Sequence, residues 1–146
     1  MAFQFSLATV LRIRGVVEDR EERLLQRIQQ ELSQTRQALA QADGEIAESN
    51  ASRRTQLFVP STGTNVHAAY GGIEQLKFSR QTLETQLAKL EELKEVQLNV
   101  YRAARRDREM LADMRDRKRS LYDSDIARRE QHALDDNFIA RRGSRP

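Results

Sequence analysis

Residues 25–46 read LQRIQQELSQTRQALAQADGEI, and Leu25, Ile28, Leu32, Leu39, Ala42 and Ile46 within them fall on one alternating three-and-four spacing. That interval keeps an apolar stripe turned toward a partner helix over many turns, which is the period of a coiled coil. Leu7 and Leu11 extend the stripe toward the start of the chain. Between them and Leu25 the same frame meets Arg14, Glu18 and Glu21, while Val10, Val17 and Leu24 offer a neighbouring stripe, so a local shift of the packing face is expected there. At the front, Ser6 is a candidate N-cap and Phe5 can pack on Val10 as a hydrophobic staple.

Working outward toward the C-terminus, the pattern stops near Phe58, where Val59, Pro60, Ser61, Thr62, Gly63, Thr64 and Asn65 combine a proline, a glycine and side chains that compete for backbone hydrogen bonds. Thr64 or Asn65 can cap a second helix. Gly71 and Gly72 cost about 1 kcal/mol each relative to alanine inside a helix, so regular helix is expected to begin as late as Ile73. From there Ile73, Leu76, Leu83, Leu87, Leu90 and Leu93 form a seam. After a frame slip it passes to Val96 or Gln97, Val100, Ala103 or Ala104, Met110 or Leu111, Met114 and Leu121.

The fold expected is all-α, a long antiparallel two-helix coiled coil, or helical hairpin, with a longer second helix. It forms a single coiled-coil domain over residues 1–146, with helix 1 about 6–58, a turn about 59–65, helix 2 about 66–140 and a frayed tail 141–146. A connection this short forces the helices to run antiparallel and brings both termini to one end. Beyond about Arg119 the second helix then has no partner within the chain, and Leu121, Tyr122, Ile126, Leu134, Phe138 and Ile139 stand on that overhang.

Composition agrees with a narrow seam and disfavours a thick core: 38% of residues are hydrophobic, 32% charged and only 5% aromatic. The formal net charge of +3 arises from 25 basic and 22 acidic residues that are interspersed, which predicts solubility more than any polyanionic partner. The absence of cysteine excludes disulfides and thiolate metal sites and makes the cytoplasm the default compartment. The opening Met1 to Leu11 has neither a preceding basic residue nor a small-residue cleavage pattern and does not read as a signal peptide. No uncharged apolar run reaches the roughly 18–20 residues needed to cross a bilayer, so no direct membrane insertion is expected.

Catalytic chemistry finds no obvious seat, because two packed helices enclose no pocket in which polar groups could converge. His67 beside the turn and His132 in the tail lack helical ligand spacing and read as surface residues. The pairs Glu21 with Glu22, Glu91 with Glu92 and Asp135 with Asp136 are sequence neighbours and splay around a helix. Gly71 and Gly72 lack the further glycines and lysine of a phosphate-binding loop. We therefore expect no enzyme activity, no cofactor and no metal. The basic run Arg102, Arg105, Arg106, Arg108, Arg115, Arg117, Lys118 and Arg119 is diluted by Asp107, Glu109, Asp113 and Asp116, which favours a solvated flank or a protein-docking surface over nucleic acid.

The opening Phe3, Phe5, Leu7, Val10, Leu11, Arg14 and Glu18, together with Glu130, Gln131, Leu134, Asp135 and Asp136 near the end, resembles the flagellar export protein FliJ family. Chain length, the mid-chain turn and the missing cysteines agree. The resemblance implies a cytoplasmic, non-enzymatic component of bacterial type III flagellar export, peripheral to the inner membrane and similar to the stalk of the rotary ATPase gamma subunit. Its implied partners are the hexameric export ATPase, whose ring it enters and helps assemble, the cytoplasmic part of the export-gate membrane protein, and export chaperones that it escorts; the free protein is expected to be a monomer.

For the ATPase the residues expected are Phe3, Phe5, Leu7, Arg12, Arg14, Arg128, Arg129, Leu134, Asp135 and Phe138. The family's gate contact maps onto Tyr70, Ile73, Leu76, Lys77 and Arg80, with the double glycine departing from a plain helical pattern. The alternatives are the stalk protein of a virulence-type secretion system, a self-associating structural coiled coil, and a nucleic-acid-binding coiled coil.

Overall fold

A computed structural model describes residues 2–144; Met1, Arg145 and Pro146, the outermost residues of the opening stretch and of the expected frayed tail, lie outside the described residues. Two α-helices, α1 (Ala8–Gln56) and α2 (Gly63–Gly143), pack against each other as a helical hairpin with the second helix the longer. The chain divides into two compact units, residues 21–101 and residues 1–20 with 102–146. In each unit the two helical segments are antiparallel.

In the unit of residues 21–101, Leu25, Leu32, Ala42 and Ile73 are buried, and Ile28, Leu39, Ile46, Leu76, Leu83, Leu87 and Leu90 are half-buried. The antiparallel helix direction is fixed by pairs whose numbers rise on α1 as they fall on α2. The Gln97 amide donates to the Glu21 carbonyl at 3.1 Å, Arg36 Nη2 donates to Glu91 Oε1 at 3.3 Å, and the Arg80 guanidinium bonds Asp43. Arg80 Nη2 also reaches Glu84 Oε1 at 3.1 Å.

In the unit of residues 1–20 and 102–146, Ala104 is buried, and Leu7, Leu11 and Leu111 are half-buried. Here the cross-helix contacts are polar. The Arg108 guanidinium donates to Glu18, and Arg14 Nη1 donates to Asp107 Oδ2 at 3.3 Å. Ahead of α1 the chain makes one turn, with the Ala8 amide donating to the Phe5 carbonyl at 3.1 Å.

The boundaries differ from expectation in ways that backbone bonding explains. α1 starts at Ala8, because Ser6 and Leu7 are spent in the turn that closes on Phe5. It ends at Gln56, where Phe58 and Val59 donate to Thr55 and Gln56 three residues back and so tighten the last turn out of the α pattern. α2 begins at Gly63, with the Thr62 carbonyl accepting from Asn65 and Val66 at 3.1 and 3.3 Å, so Thr62 stands at the cap position expected of Thr64 or Asn65. Gly71 and Gly72 sit inside the helix with no positive φ; glycine weakens a helix without breaking it, and flanking turns carry the backbone through.

Neither expected change of register occurs. Every three-and-four step from Ile73 through Arg80, Lys94, Gln97, Tyr101, Ala104 and Arg108 to Leu111 is buried or half-buried, whereas Leu93, Val96 and Val100 are exposed. On α1 the frame likewise runs through Glu18 and Glu21, and Val10 and Val17 remain exposed. The charged positions hold the frame because each finds a partner, Glu18 in Arg108 and Glu21 in Gln97, so their polar ends stay satisfied at a half-wet seam.

Candidate protein-binding surfaces

The termini are organised by aromatic rings. Phe3 lies 5.6 Å from Tyr122, ring centroid to centroid and tilted by 52°, with Arg119 over its face at 5.6 Å. Phe5 lies beneath Lys118 at 5.6 Å, and Val10, paired with it in the staple expectation, is 40% exposed. Tyr122 and Ile126 are half-buried, so the uncovered part of α2 begins after Ile126 and not at Arg119. From Ala127 to Gly143 the helix continues with every residue exposed, including Leu134, Phe138 and Ile139 at 64%, 65% and 66%. Arg128 Nη2 bonds Asp125 at 2.8 Å and Gln131 bonds Asp135 at 3.2 Å, both within the helix.

Of the residues expected to meet the ATPase, Phe3, Phe5 and Leu7 are half-buried in the same unit in which Arg12, Arg128, Arg129, Leu134, Asp135 and Phe138 are exposed. Arg14 is half-exposed and held to Asp107. Burial cannot remove water from Glu18 completely: its side chain is 12% exposed and that of Arg108 34%. The hydrogen bond that Arg108 donates to Glu18, reinforced by the carboxylate charge, holds the guanidinium above its ordinary value.

Near the connection, in the other unit, small side chains occupy the seam. Ser49, Ser52, Ala69 and Gly72, with Arg53 and Ile73, line an open groove of about 440 Å³, and an adjoining one of about 210 Å³ is edged by Leu57, Val59, Val66 and Tyr70. Arg53 lies over the Tyr70 ring at 4.8 Å. Among the expected gate residues, Ile73 is 4% exposed and belongs to the seam, Leu76 is half-buried, and Tyr70 and Lys77 are exposed. Lys77 pairs with Glu74 at 3.5 Å. The Arg80 guanidinium is held above its ordinary value by its hydrogen bond to Asp43, then by the charges of Asp43 and Glu84.

Several exposed groups escaped the sequence reading. Phe58, assigned there to the end of a helix, is 89% exposed in the connection, and Phe78 is exposed on α2. Lys94, Tyr101 and Arg108 were not read as seam positions, although continuing the strict frame from Ile73 lands on each of them. His67 and His132 are exposed, and among the described residues no group of three or more His, Asp or Glu side chains is placed to hold a metal ion. No described helix is long and apolar enough to cross a membrane.

Fold and surfaces together define an all-α helical-hairpin protein of the coiled-coil class, with its chemistry on outward faces. Comparison then places it more narrowly. The family described as "Flagellar FliJ protein" matches residues 3–146, and the chain belongs to the FliJ family, with a role related to flagellar export. No curated protein and no solved structure matches it.

Proposed function

We propose that this chain is a non-enzymatic, cytoplasmic component of the bacterial flagellar type III export apparatus that binds the export ATPase and promotes assembly and activity of its ring. The observation that carries this reading is the C-terminal stretch of α2, helical from Ala127 to Gly143 with Leu134, Phe138 and Ile139 all uncovered. Burying one such side chain contributes about 1.5–3 kcal/mol, so a partner that covers the stretch recovers what the isolated chain forgoes. The ATPase surface combines it with Phe3, Phe5, Leu7, Arg12, Arg14, Arg128, Arg129 and Asp135. Ring entry by a helix end with basic and apolar groups needs complementary acidic and apolar lining, and the charges set orientation and encounter rate.

A second contact, to the cytoplasmic part of the export-gate membrane protein, uses Tyr70, Leu76, Lys77 and Arg80 early in α2, with Ile73 holding that segment in place. Export chaperones are further partners.

The test is the steady-state hydrolysis rate and ring assembly of the cognate flagellar export ATPase, with and without this protein. A variant lacking residues from Asp123 onward and the milder Phe138→Ala are the controls. Stimulation by the full chain that truncation abolishes and Phe138→Ala weakens is the expected result. Equal stimulation by the truncated chain, or no binding at low salt, would remove the ATPase reading.

A further inference from the structure

On the unit formed by residues 1–20 and 102–146, one flank of the seam is apolar although nothing among the described residues covers it. Val10, Ile13 and Val17 on α1 and Met110, Met114 and Leu121 on α2 are all exposed. In the frame fixed by Leu11, Glu18, Arg108 and Leu111, Val10, Val17, Met114 and Leu121 occupy the position just before a seam residue. Ile13 and Met110 stand beside them, farther out on the same side. In an antiparallel pair these positions of the two helices meet along one flank, whereas Arg36 and Glu91 exemplify the opposite flank elsewhere in the hairpin. The six side chains therefore form one strip.

Their spacing says what could cover it. Steps of three and four from Val10 to Ile13 to Val17, and of four and seven from Met110 to Met114 to Leu121, repeat at the interval that receives the knobs of another helix. Two of the chain's three methionines lie here, and their flexible thioethers adapt to a partner's shape. Charge narrows the choice further. Arg20 stands at one end of the strip, Arg117 stands within it between Met114 and Leu121, and Arg106 borders it; none is ion-paired with a described residue. Asp107, the acidic group on the strip, is already paired with Arg14, and Asp113 at the border is outnumbered.

We infer that this flank is a docking surface for one amphipathic helix of another protein, an apolar stripe bordered by carboxylates, which completes a three-helix bundle with the two helices of this unit. The site is separate from the uncovered C-terminal stretch and from the gate residues, and it stands or falls without them.

The experiment uses the full chain and two fluorescein-labelled synthetic helices of roughly three heptads with the same leucine stripe, one flanked by glutamate and one by lysine. Anisotropy titration at low salt is expected to give binding of the glutamate helix at least about tenfold tighter than of the lysine helix. Met114→Asp and, independently, Met110→Glu should weaken the glutamate helix by about tenfold or more with circular dichroism unchanged. Leu134→Asp should leave the affinity as it was.

Equal affinity for the two helices, or indifference to both methionine variants, would overturn the proposal. So would loss of binding in Leu134→Asp alone, which would place the peptide on the C-terminal stretch. Sedimentation closes the remaining route: a dimer of the chain that Met114→Asp dissolves would make a second copy the occupant and defeat the inference.

Discussion

The two units solve the same packing problem with different chemistry. Between residues 21 and 101 every buried seam residue is aliphatic, Leu25, Leu32, Ala42 and Ile73, and the polar groups in the frame, Glu21, Arg80, Lys94 and Gln97, are half-buried. In the unit of residues 1–20 and 102–146 the comparable positions hold Glu18, Arg108 and Ala104, and the packing beyond them passes to Phe3, Phe5 and Tyr122 under Arg119 and Lys118. Apolar burial supplies free energy in proportion to area and without direction, whereas an ion pair at a half-wet seam contributes little net stability but penalises every register that leaves a charge unpaired. The aliphatic unit contributes most to stability, and the polar one most to alignment.

Replacing a buried aliphatic group separates these roles most sharply. Leu32→Ala, at a position 2% exposed, should cost about 2–4 kcal/mol in urea unfolding monitored by circular dichroism, the largest effect expected of any single change considered. A loss below about 0.5 kcal/mol would mean that the seam collapses freely around a missing side chain, and the contrast between the units would be lost.

Glu18→Gln should cost less, about 1 kcal/mol, because the guanidinium keeps a hydrogen-bond acceptor but loses the charge it is held against. Adding Arg108→Met to Glu18→Leu should restore that loss or exceed it, since two apolar groups remove the desolvation cost along with the pair. The pH dependence has a definite sign. Arg108 and Arg80 are raised in the folded state, so what they contribute is fully present below the ordinary guanidinium value and is lost only as pH climbs through the raised one. Stability between pH 6 and about 9 should therefore be flat with respect to these two groups, and a titration in that range abolished by Arg108→Met would contradict the assignment.

What sequence disclosed and what it hid divides along the seam itself, partly within the unit of residues 21–101. Leu25, Ile28, Leu32, Leu39, Ala42, Ile46, Ile73, Leu76, Leu83, Leu87 and Leu90 are all apolar and all in frame, so residue type and period agree and the helical hairpin follows. Where Lys94, Gln97 and Arg108 take seam positions while Leu93, Val96 and Val100 lie one step before or beside the seam, type and period disagree, and following residue type produced a frame slip that does not exist. Period was the better guide, because one helix packing on another cannot rotate without abandoning the layers on both sides. Phe3, Phe5, Tyr122 and Lys118 are all named from the sequence, but not as partners, since more than a hundred intervening residues separate contacts that only the hairpin brings together.

The connection tests whether helix continuity near Gly71 and Gly72 rests on packing or on backbone alone. Both glycines lie in α2 without positive φ, and a Cβ added to either meets nothing within 4 Å. Gly71→Ala should therefore stabilise the chain by about 0.5–1 kcal/mol, raising the melting temperature, through a smaller loss of backbone entropy on folding. A lower melting temperature would mean that this segment leaves the helix in solution, as the sequence reading had expected.

The smallest effect on stability belongs to the uncovered end of α2, and its smallness is the point. Phe138 is 65% exposed in the folded chain, so Phe138→Ser removes little that folding had buried and should shift unfolding by less than about 0.5 kcal/mol. Leu32 and Phe138 are both apolar residues on long helices that differ sharply in burial, and the gap between the two losses should follow mainly from that difference. If Phe138→Ser instead proved as costly as a core change, the stretch from Ala127 to Gly143 would have to be packed within the free protein. The surface proposed for the ATPase would then already be occupied, and binding would require that packing to open first.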